Sequence, residues 1–315
     1  MPAASRTEAA AASLAGAVLR LPGLLRAPSP LVVVSDFDGT LAGISPDPMA
    51  ATIEPLGQRA LRRLARIAAA RPERLRLVVL SGRTALDVAG RVRVGGVRYL
   101  GNHGLEGGLL VRGGRAERLR IELDEWLEPY VGPCRRIGEA VRDRVREPWL
   151  FVEPKGPLVA FHYRTAPDPT AARAEILAAI AAAEADPTLP PHGLVRIEGR
   201  RVIELKPADA GGKGAAVERV LERLRPGAIM VLGDDRSDAE AFRVVAAARA
   251  AGRPVGLNVA VQAGPETPPE VAESADVVLA APPETARLLA ALARLLEAEA
   301  STAAGSTAEE QPAGA

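Results

Sequence analysis

The 315-residue chain predicts an α/β fold, a doubly wound parallel sheet whose core is interrupted by an inserted α+β cap domain. Short β-branched runs alternate with amphipathic helical segments, and polar, glycine-bearing strings follow several of those runs. The pattern breaks in the middle of the chain and then resumes.

Residues 1–28 are Ala-rich and read as a helical or frayed extension that ends in the turn-prone Ala27-Pro28-Ser29-Pro30, with folded structure starting after it. Leu31-Val32-Val33-Val34 is a continuous apolar run bounded by turn residues, the pattern of a strand buried on both faces of a parallel sheet. Over 54–70, Leu56, Ala60, Leu61, Leu64, Ile67 and Ala68 recur at helical spacing between arginines. A second buried-type strand, 75–80, ends at Ser81-Gly82-Arg83; a short helix follows at 84–91, and a third strand closes near Leu100. From 107 to about 201, strand-like pieces at 109–112 and 158–164 alternate with helices near 125–145 and 170–185. The parallel pattern returns with a strand at 201–205, a helix at 212–225, a strand at 228–232 and shorter units near 254–258 and 276–279. The expected organisation is therefore an extension (1–28), a core (29–106 and 202–298), a cap (107–201) and a disordered tail (299–315) without periodicity.

Composition narrows the function classes. With 40 Lys and Arg against 39 Asp and Glu the net charge is +1, so bulk electrostatics suggests neither a nucleic-acid nor a membrane partner. Aromatic residues are 3% of the chain, too few for a base-stacking surface. Cys134 is the single cysteine and forms no intramolecular disulfide, which fits a reducing, cytoplasmic compartment. No apolar run approaches the length of about 18 residues that a spanning helix needs, and Arg6 and Glu8 stand where a signal peptide would be basic and then greasy.

The chemistry gathers at strand ends, where open parallel sheets bind ligands. Asp36-Phe37-Asp38-Gly39-Thr40-Leu41 follows the first strand, and two carboxylates two residues apart can converge there on a hard cation such as Mg²⁺. An Asx turn is the alternative reading of Asp36 and Asp38. Ser81-Gly82-Arg83 offers a hydroxyl and backbone N–H groups at a helix start, suited to a phosphate or to plain N-capping. Gly212-Lys213-Gly214 opens a helix with an ammonium able to neutralise phosphate charge, although a lone lysine is more often a solvated one. Gly233-Asp234-Asp235-Arg236-Ser237-Asp238 adds three carboxylates, an arrangement of like charges that asks for a cation.

In this order and at these strand ends, the strings resemble those of the haloacid dehalogenase superfamily of phosphotransferases, over roughly residues 31–298. The resemblance implies Asp36 as nucleophile, Asp38 as general acid and base, Ser81 as a phosphate ligand and Lys213 as the charge-neutralising lysine. It also implies an Mg²⁺ site formed by Asp36, Asp38 through its backbone carbonyl, and Asp234, with Asp235 and Asp238 in support. Further strings are similar to those of trehalose-6-phosphate phosphatases: Gly101-Asn102-His103-Gly104-Leu105-Glu106, Val152-Glu153-Pro154-Lys155, Phe161-His162-Tyr163-Arg164 and Val202-Ile203-Glu204-Leu205-Lys206-Pro207. That family implies a sugar phosphate as substrate, a lid over the active site, and a functional link to a trehalose-6-phosphate synthase. The implied substrate contacts are Ser81, Gly82, Arg83, Asn102, His103, Glu106, Glu153, Lys155, His162, Arg164 and Glu204. His103 has an alternative as a turn histidine, and His162 and Arg164 as a surface pair. One departure stands out: where the family carries an acidic residue after the last Asp of its fourth motif, this chain has Ala239 and then Glu240. Another sugar-phosphate phosphatase, a phosphomutase, or a weakly active regulator of a synthase are the competing readings.

Overall fold

The computed structural model describes residues 3–45, 50–188, 193–199, 201–264 and 267–309. The chain divides into two compact units, residues 1–121 with 212–315, and residues 122–211. In chain order the first unit opens with α1 (Ala3–Arg26), β1 (Leu31–Ser35), α2 (Pro55–Ala70), β2 (Leu75–Leu80), α3 (Ala85–Val92), β3 (Val97–Gly101) and β4 (Glu106–Leu110). The second unit holds β5 (Glu122–Leu123), α4 (Glu128–Arg144), β6 (Phe151–Pro154), β7 (Val159–His162), α5 (Pro169–Glu184), β8 (Leu194–Gly199) and β9 (Val202–Pro207). The chain then returns to the first unit with α6 (Lys213–Leu224), β10 (Ala228–Gly233), α7 (Arg236–Ala250), β11 (Val255–Val261), α8 (Pro269–Glu273), β12 (Val277–Leu279) and α9 (Pro282–Glu309).

The first unit's strands lie in the order β12-β11-β10-β1-β2-β3-β4, parallel except for β4. Every residue of β1 and β10 is buried, as their unbroken apolar runs require when both faces are covered. Leu31 and Val33 face one apolar cluster with α1, α2, α3 and α9, while Val32 and Val34 face a second one with α6 and α7. The succession β1, β2, β3 runs one way from β1, and β10, β11, β12 runs the other. The strand order thus reverses at the β1/β10 pair, which opens a crevice at their carboxyl ends. Among the described residues no helix is long and apolar enough to cross a membrane.

In the second unit an antiparallel sheet, β6-β7-β9-β8, lays one face on α4 and α5. Val152, Val159, Phe161, Ile203 and Leu205 fill that interface with Ile137, Val141, Ile176 and Ile180.

The predicted class holds, and four boundaries move. α1 is part of the folded core, because Ala17, Leu21 and Leu24 form one helical stripe that is buried. Residues 107–110 belong to the first unit, since β4 pairs with β3 from Val97 opposite Leu110 to Gly101 opposite Glu106. The stretch expected as a core strand at 201–205 is β9, antiparallel to β7 and β8 in the second unit. Its alternation of half-buried Val202, Glu204 and Lys206 with buried Ile203, Leu205 and Pro207 is that of a sheet covered on one face. The stretch expected as a disordered tail is helical as far as Glu309, where alanine-rich composition favours propagation; residues 310–315 lie outside the described ones. Arg74 pairs with Glu299 at 3.0 Å and so fastens that helix to the start of β2.

Candidate active site

Ser35 and Leu232 are opposite one another in the β1/β10 pair, so Asp36 and Asp234 leave the sheet side by side. The Asp36 amide donates to the Leu232 carbonyl at 2.9 Å, which carries the parallel pairing one residue past β1. The loop then turns at Gly39, with φ +78°, where a Cβ would come within 2.1 Å of an Asp234 carboxylate oxygen. Glycine is required at that position both by the backbone and by the carboxylate beneath it. Thr40 Oγ1 donates to Asp234 Oδ1 at 3.4 Å.

Lys213 is the first residue of α6 and is 1% exposed, which answers the expectation of a solvated lysine. Its Nζ donates to Asp36 Oδ1 at 2.7 Å and to Asp238 Oδ1 at 2.9 Å, with Asp235 Oδ1 at 3.7 Å. The other Asp238 oxygen accepts from the Asp234 and Asp235 amides at 3.1 and 3.2 Å. Asp235 in turn accepts from the Asp238 amide at 2.9 Å, completing a reciprocal cap on α7.

Four carboxylates around one ammonium carry excess negative charge, and the proton affinities record it. Burial pushes Asp36 well above the ordinary carboxylate range, Lys213 opposing and Asp234 adding to it. Burial and then Asp238 raise Asp234 to about 7, and Asp238 is raised as well, burial being the larger cause. Lys213 holds Asp235 low in spite of its burial, and Asp238 and Asp36 hold the proton on Lys213 against the same penalty. Carboxylate oxygens of Asp36, Asp234 and Asp238 all lie within 4.8 Å of one another. An all-oxygen donor set with unneutralised charge suits a hard divalent cation. Asp238 has both oxygens committed to Lys213 and to amides, so the carboxylates best able to hold an ion are Asp36 and Asp234.

The Asp38 carboxylate is directed elsewhere. Arg83 Nε donates to its Oδ2 at 2.7 Å and Arg83 Nη2 to its Oδ1 at 2.8 Å, a two-bond clamp. Arg83, expected at the substrate, is thus an ion-pair partner of Asp38, and its Nη1 meets Asp87 Oδ2 at 3.0 Å. Ser81 is buried at the end of β2, and its Oγ accepts from the Arg83 amide at 3.1 Å. The turn after β3 is tied to it: His103 N donates to the Ser81 carbonyl at 2.9 Å and Asn102 N to the Arg83 carbonyl at 2.7 Å. Asn102 and His103 sit at φ +51° and +57°, sparsely populated for such residues. The His103 ring lies where a Gly82 Cβ would be 2.9 Å away, so Gly82 makes room for it. Glu106 Oε1 accepts from Ala85 N at 2.7 Å and so caps the start of α3.

Glu153, His162 and Glu204 lie on one face of the second unit's sheet, away from its helices, with Lys155 just past β6. Register aligns Glu153, Ala160 and Glu204 across β6, β7 and β9. Lys155 Nζ lies 3.4 Å from both Glu153 and Glu204, and His162 Nε2 is 2.8 Å from Glu153. Against its burial, His162 and Lys155 hold the Glu153 carboxyl below its ordinary range. Arg164 lies beyond the end of β7 and is exposed; its carbonyl accepts from Arg201 Nη1 at 2.9 Å. Ala239 is buried in the apolar cluster under α7, whereas Glu240 is exposed and lays its carboxylate against Gly212, next to Lys213.

Asp87 and Arg91 were not among the expected site residues, though Arg83 just before α3 and Asp87 and Arg91 within it stand four apart in sequence. That i, i+4 spacing was the available signal.

An acidic turn after the first strand, a buried lysine at a later helix start and an α+β insertion are the features that the resemblance to haloacid dehalogenase-type phosphotransferases implied. The sequence matches the trehalose-phosphatase family over residues 34–277, and the chain belongs to that family. It is 34% identical over 219 residues to the trehalose-phosphate phosphatase of Mycobacterium tuberculosis (strain H37Rv), covering 68% of this chain and 51% of that protein. The chain thus spans about half the length of that curated relative. Among solved structures, the C-terminal domain of a Candida albicans trehalose-6-phosphate phosphatase superposes with a TM-score of 0.61 at 20% identity, covering 89% of this chain and 96% of that one. The C-terminal domain of a Candida albicans trehalose synthase regulatory protein superposes with a TM-score of 0.57 at 14% identity, covering 88% and 97%. At these identities the two superpositions speak for the fold alone.

Proposed function

We propose that the chain is a phosphomonoesterase that hydrolyses trehalose 6-phosphate through an aspartyl-phosphate on Asp36. The observation that carries this reading is the Lys213 ammonium, buried and 2.7 Å from Asp36, beside Asp234 at the switch point of the sheet. A protein that only binds a sugar phosphate has no use for a nucleophilic carboxylate held in that way. The fold by itself does not separate an enzyme from a regulator, since a superposable domain of each kind exists.

Magnesium is the proposed cofactor, held by the Asp36 and Asp234 carboxylates, and bound there it supplies positive charge to the phosphoryl oxygens. Lys213 orients Asp36 and shields the approaching phosphate from the surrounding carboxylates. An Asp36 oxygen attacks phosphorus as the bond to the sugar oxygen breaks. The leaving oxygen keeps the electron pair and takes a proton from the Asp38 carboxyl. Asp38, now a carboxylate, takes a proton from water, which attacks phosphorus and frees Asp36 and orthophosphate. Ser81 and the amides at the end of β2 are the proposed phosphate contacts. Glu153, Lys155, His162 and Glu204 are the proposed contacts to sugar hydroxyls, and a synthase making the phosphorylated disaccharide is the proposed functional neighbour.

The test is phosphate release from a panel containing trehalose 6-phosphate, sucrose 6-phosphate and glucose 6-phosphate, with EDTA and after adding back Mg²⁺. The expected result is strongest release from trehalose 6-phosphate, lost in chelator and restored by Mg²⁺. Full activity in chelator overturns the metal reading. Tight binding of a sugar phosphate without turnover overturns the enzymatic one.

A further inference from the structure

We propose that Asp87 and Arg91 are positioning residues for this reaction: they hold Arg83, and Arg83 fixes the Asp38 carboxyl that protonates the leaving oxygen. The inference rests on the functional reading above.

Asp38 sits on the loop after β1, and its side chain is 40% exposed, so the loop alone leaves its rotamer open. What fixes it is the pair of parallel bonds from Arg83, at 2.7 and 2.8 Å. Arg83 is a long side chain whose own freedom has to be removed first. Among the contacts that do so are the bonds to Asp38, the 3.0 Å bond from Nη1 to Asp87, and the Phe37 ring 5.7 Å below the guanidinium. Asp87 is fixed in turn by Arg91, whose Nε lies 2.9 Å from both of its oxygens, and Arg91 Nη1 ends the series on the Ala51 carbonyl at 3.0 Å.

Pairs spaced i, i+4 on a helix are commonly solvated surface contacts of small effect. Here the Arg83 and Arg91 side chains are 15% and 10% exposed, and the series runs from a backbone carbonyl to a site carboxylate. Asp87 occupies the third position of α3, where its amide donates to the Thr84 cap. Its carboxylate meets both arginines, which hold it below its ordinary range in spite of partial burial. With both oxygens accepting from Arg83, the Asp38 carboxylate is aligned; one of the two bonds opens when an oxygen takes up a proton from solvent, and it closes again as that proton passes to the sugar oxygen.

A misplaced Asp38 therefore harms substrates whose leaving group needs a proton. A sugar alkoxide needs one; p-nitrophenolate leaves without it. Asp87→Asn removes the charge that anchors Arg83 and keeps the shape. The measurement is kcat/KM, which reports events through departure of the leaving group, together with single-turnover rates, on trehalose 6-phosphate and p-nitrophenyl phosphate. The expected result is a fall of about 10- to 100-fold on the sugar phosphate, in the single-turnover rate rather than KM. On the aryl ester the change stays within about threefold. Arg91→Gln gives the same pattern more weakly, and Asp87→Glu restores part of the rate. Equal losses on both substrates, or no loss on either, in a variant that unfolds with the wild-type midpoint overturn the inference. Should Asp87→Asn fail to fold, equal losses in Arg91→Gln overturn it. Wild-type protein inactive on every sugar phosphate overturns the functional reading, and this inference with it.

Discussion

The two units each bury a lysine between carboxylates, and the two lysines are held in different ways. Lys213 lies 2.7 and 2.9 Å from Asp36 and Asp238, at the start of a helix whose axis fixes its Cα. Lys155 lies 3.4 Å from both Glu153 and Glu204, in the turn where β6 passes to β7. The first geometry is that of short charge-assisted hydrogen bonds, and the second is looser than such bonds normally are. Around Lys213, Asp238 accepts from the ammonium with one oxygen and from two amides with the other, which fixes the group beside Asp36. Around Lys155 the carboxylates are part-exposed, as the proposed contacts to sugar hydroxyls require. A rigid ammonium suits chemistry at phosphorus, and an adaptable one suits recognition.

The sharpest break of that comparison is Asp36→Asn. It keeps the shape beside Lys213 and removes the attacking charge, so turnover falls by several orders of magnitude while the unfolding transition survives. Residual activity above about a tenth of wild type, on the order of 1.4 kcal/mol of barrier, rejects Asp36 as nucleophile.

Lys213→Met tests whether the tight site is framework. Removing the ammonium leaves buried carboxylates unpaired, and the expected loss is about 3–5 kcal/mol of stability, read from urea midpoints at neutral pH. A midpoint equal to wild type means that the acids take up protons without strain and the lysine serves only the phosphate.

The smallest effect belongs to Lys155→Ala. The loss of stability is smaller than for Lys213→Met, because Glu153 and Glu204 keep part of their contact with water when the lysine is gone. Specificity changes more: kcat/KM on trehalose 6-phosphate falls roughly ten- to a hundredfold, as for one lost charge-assisted hydrogen bond, with p-nitrophenyl phosphate spared. If the aryl ester falls equally, Lys155 acts on the phosphate or on folding, and the contrast between the units disappears.

Much of the site was legible because its parts are local. A β-branched run followed by Asp-x-Asp-Gly-Thr announces a strand end with carboxylates, and Gly-Lys-Gly before an amphipathic segment announces a helix start. Asp36, Lys213 and Asp234 could be placed at element ends from such strings alone. Which way Asp38 turns was not legible, since Arg83 is 45 residues away in the chain and its guanidinium could equally have met a phosphate. Glu106 is expected at the substrate from the family resemblance alone, and that its carboxylate caps α3 at Ala85 N became visible only in the tertiary structure.

The sequence by itself determined the class of fold, the strand ends at which acids and a lysine collect, and the family, because each depends on patterns within a few residues. The tertiary structure decided what covers each apolar stripe. Leu21 and Leu24 of α1 read as an extension until they meet the core, and Val202 to Leu205 read as a parallel strand until β7 and β8 take them. It also decided the electrostatics, bringing Lys213 to Asp36 across 177 residues and excluding water from both. Periodicity encodes which side of an element is apolar, but the identity of the covering surface and the partner of a buried charge arise only when distant segments pack together.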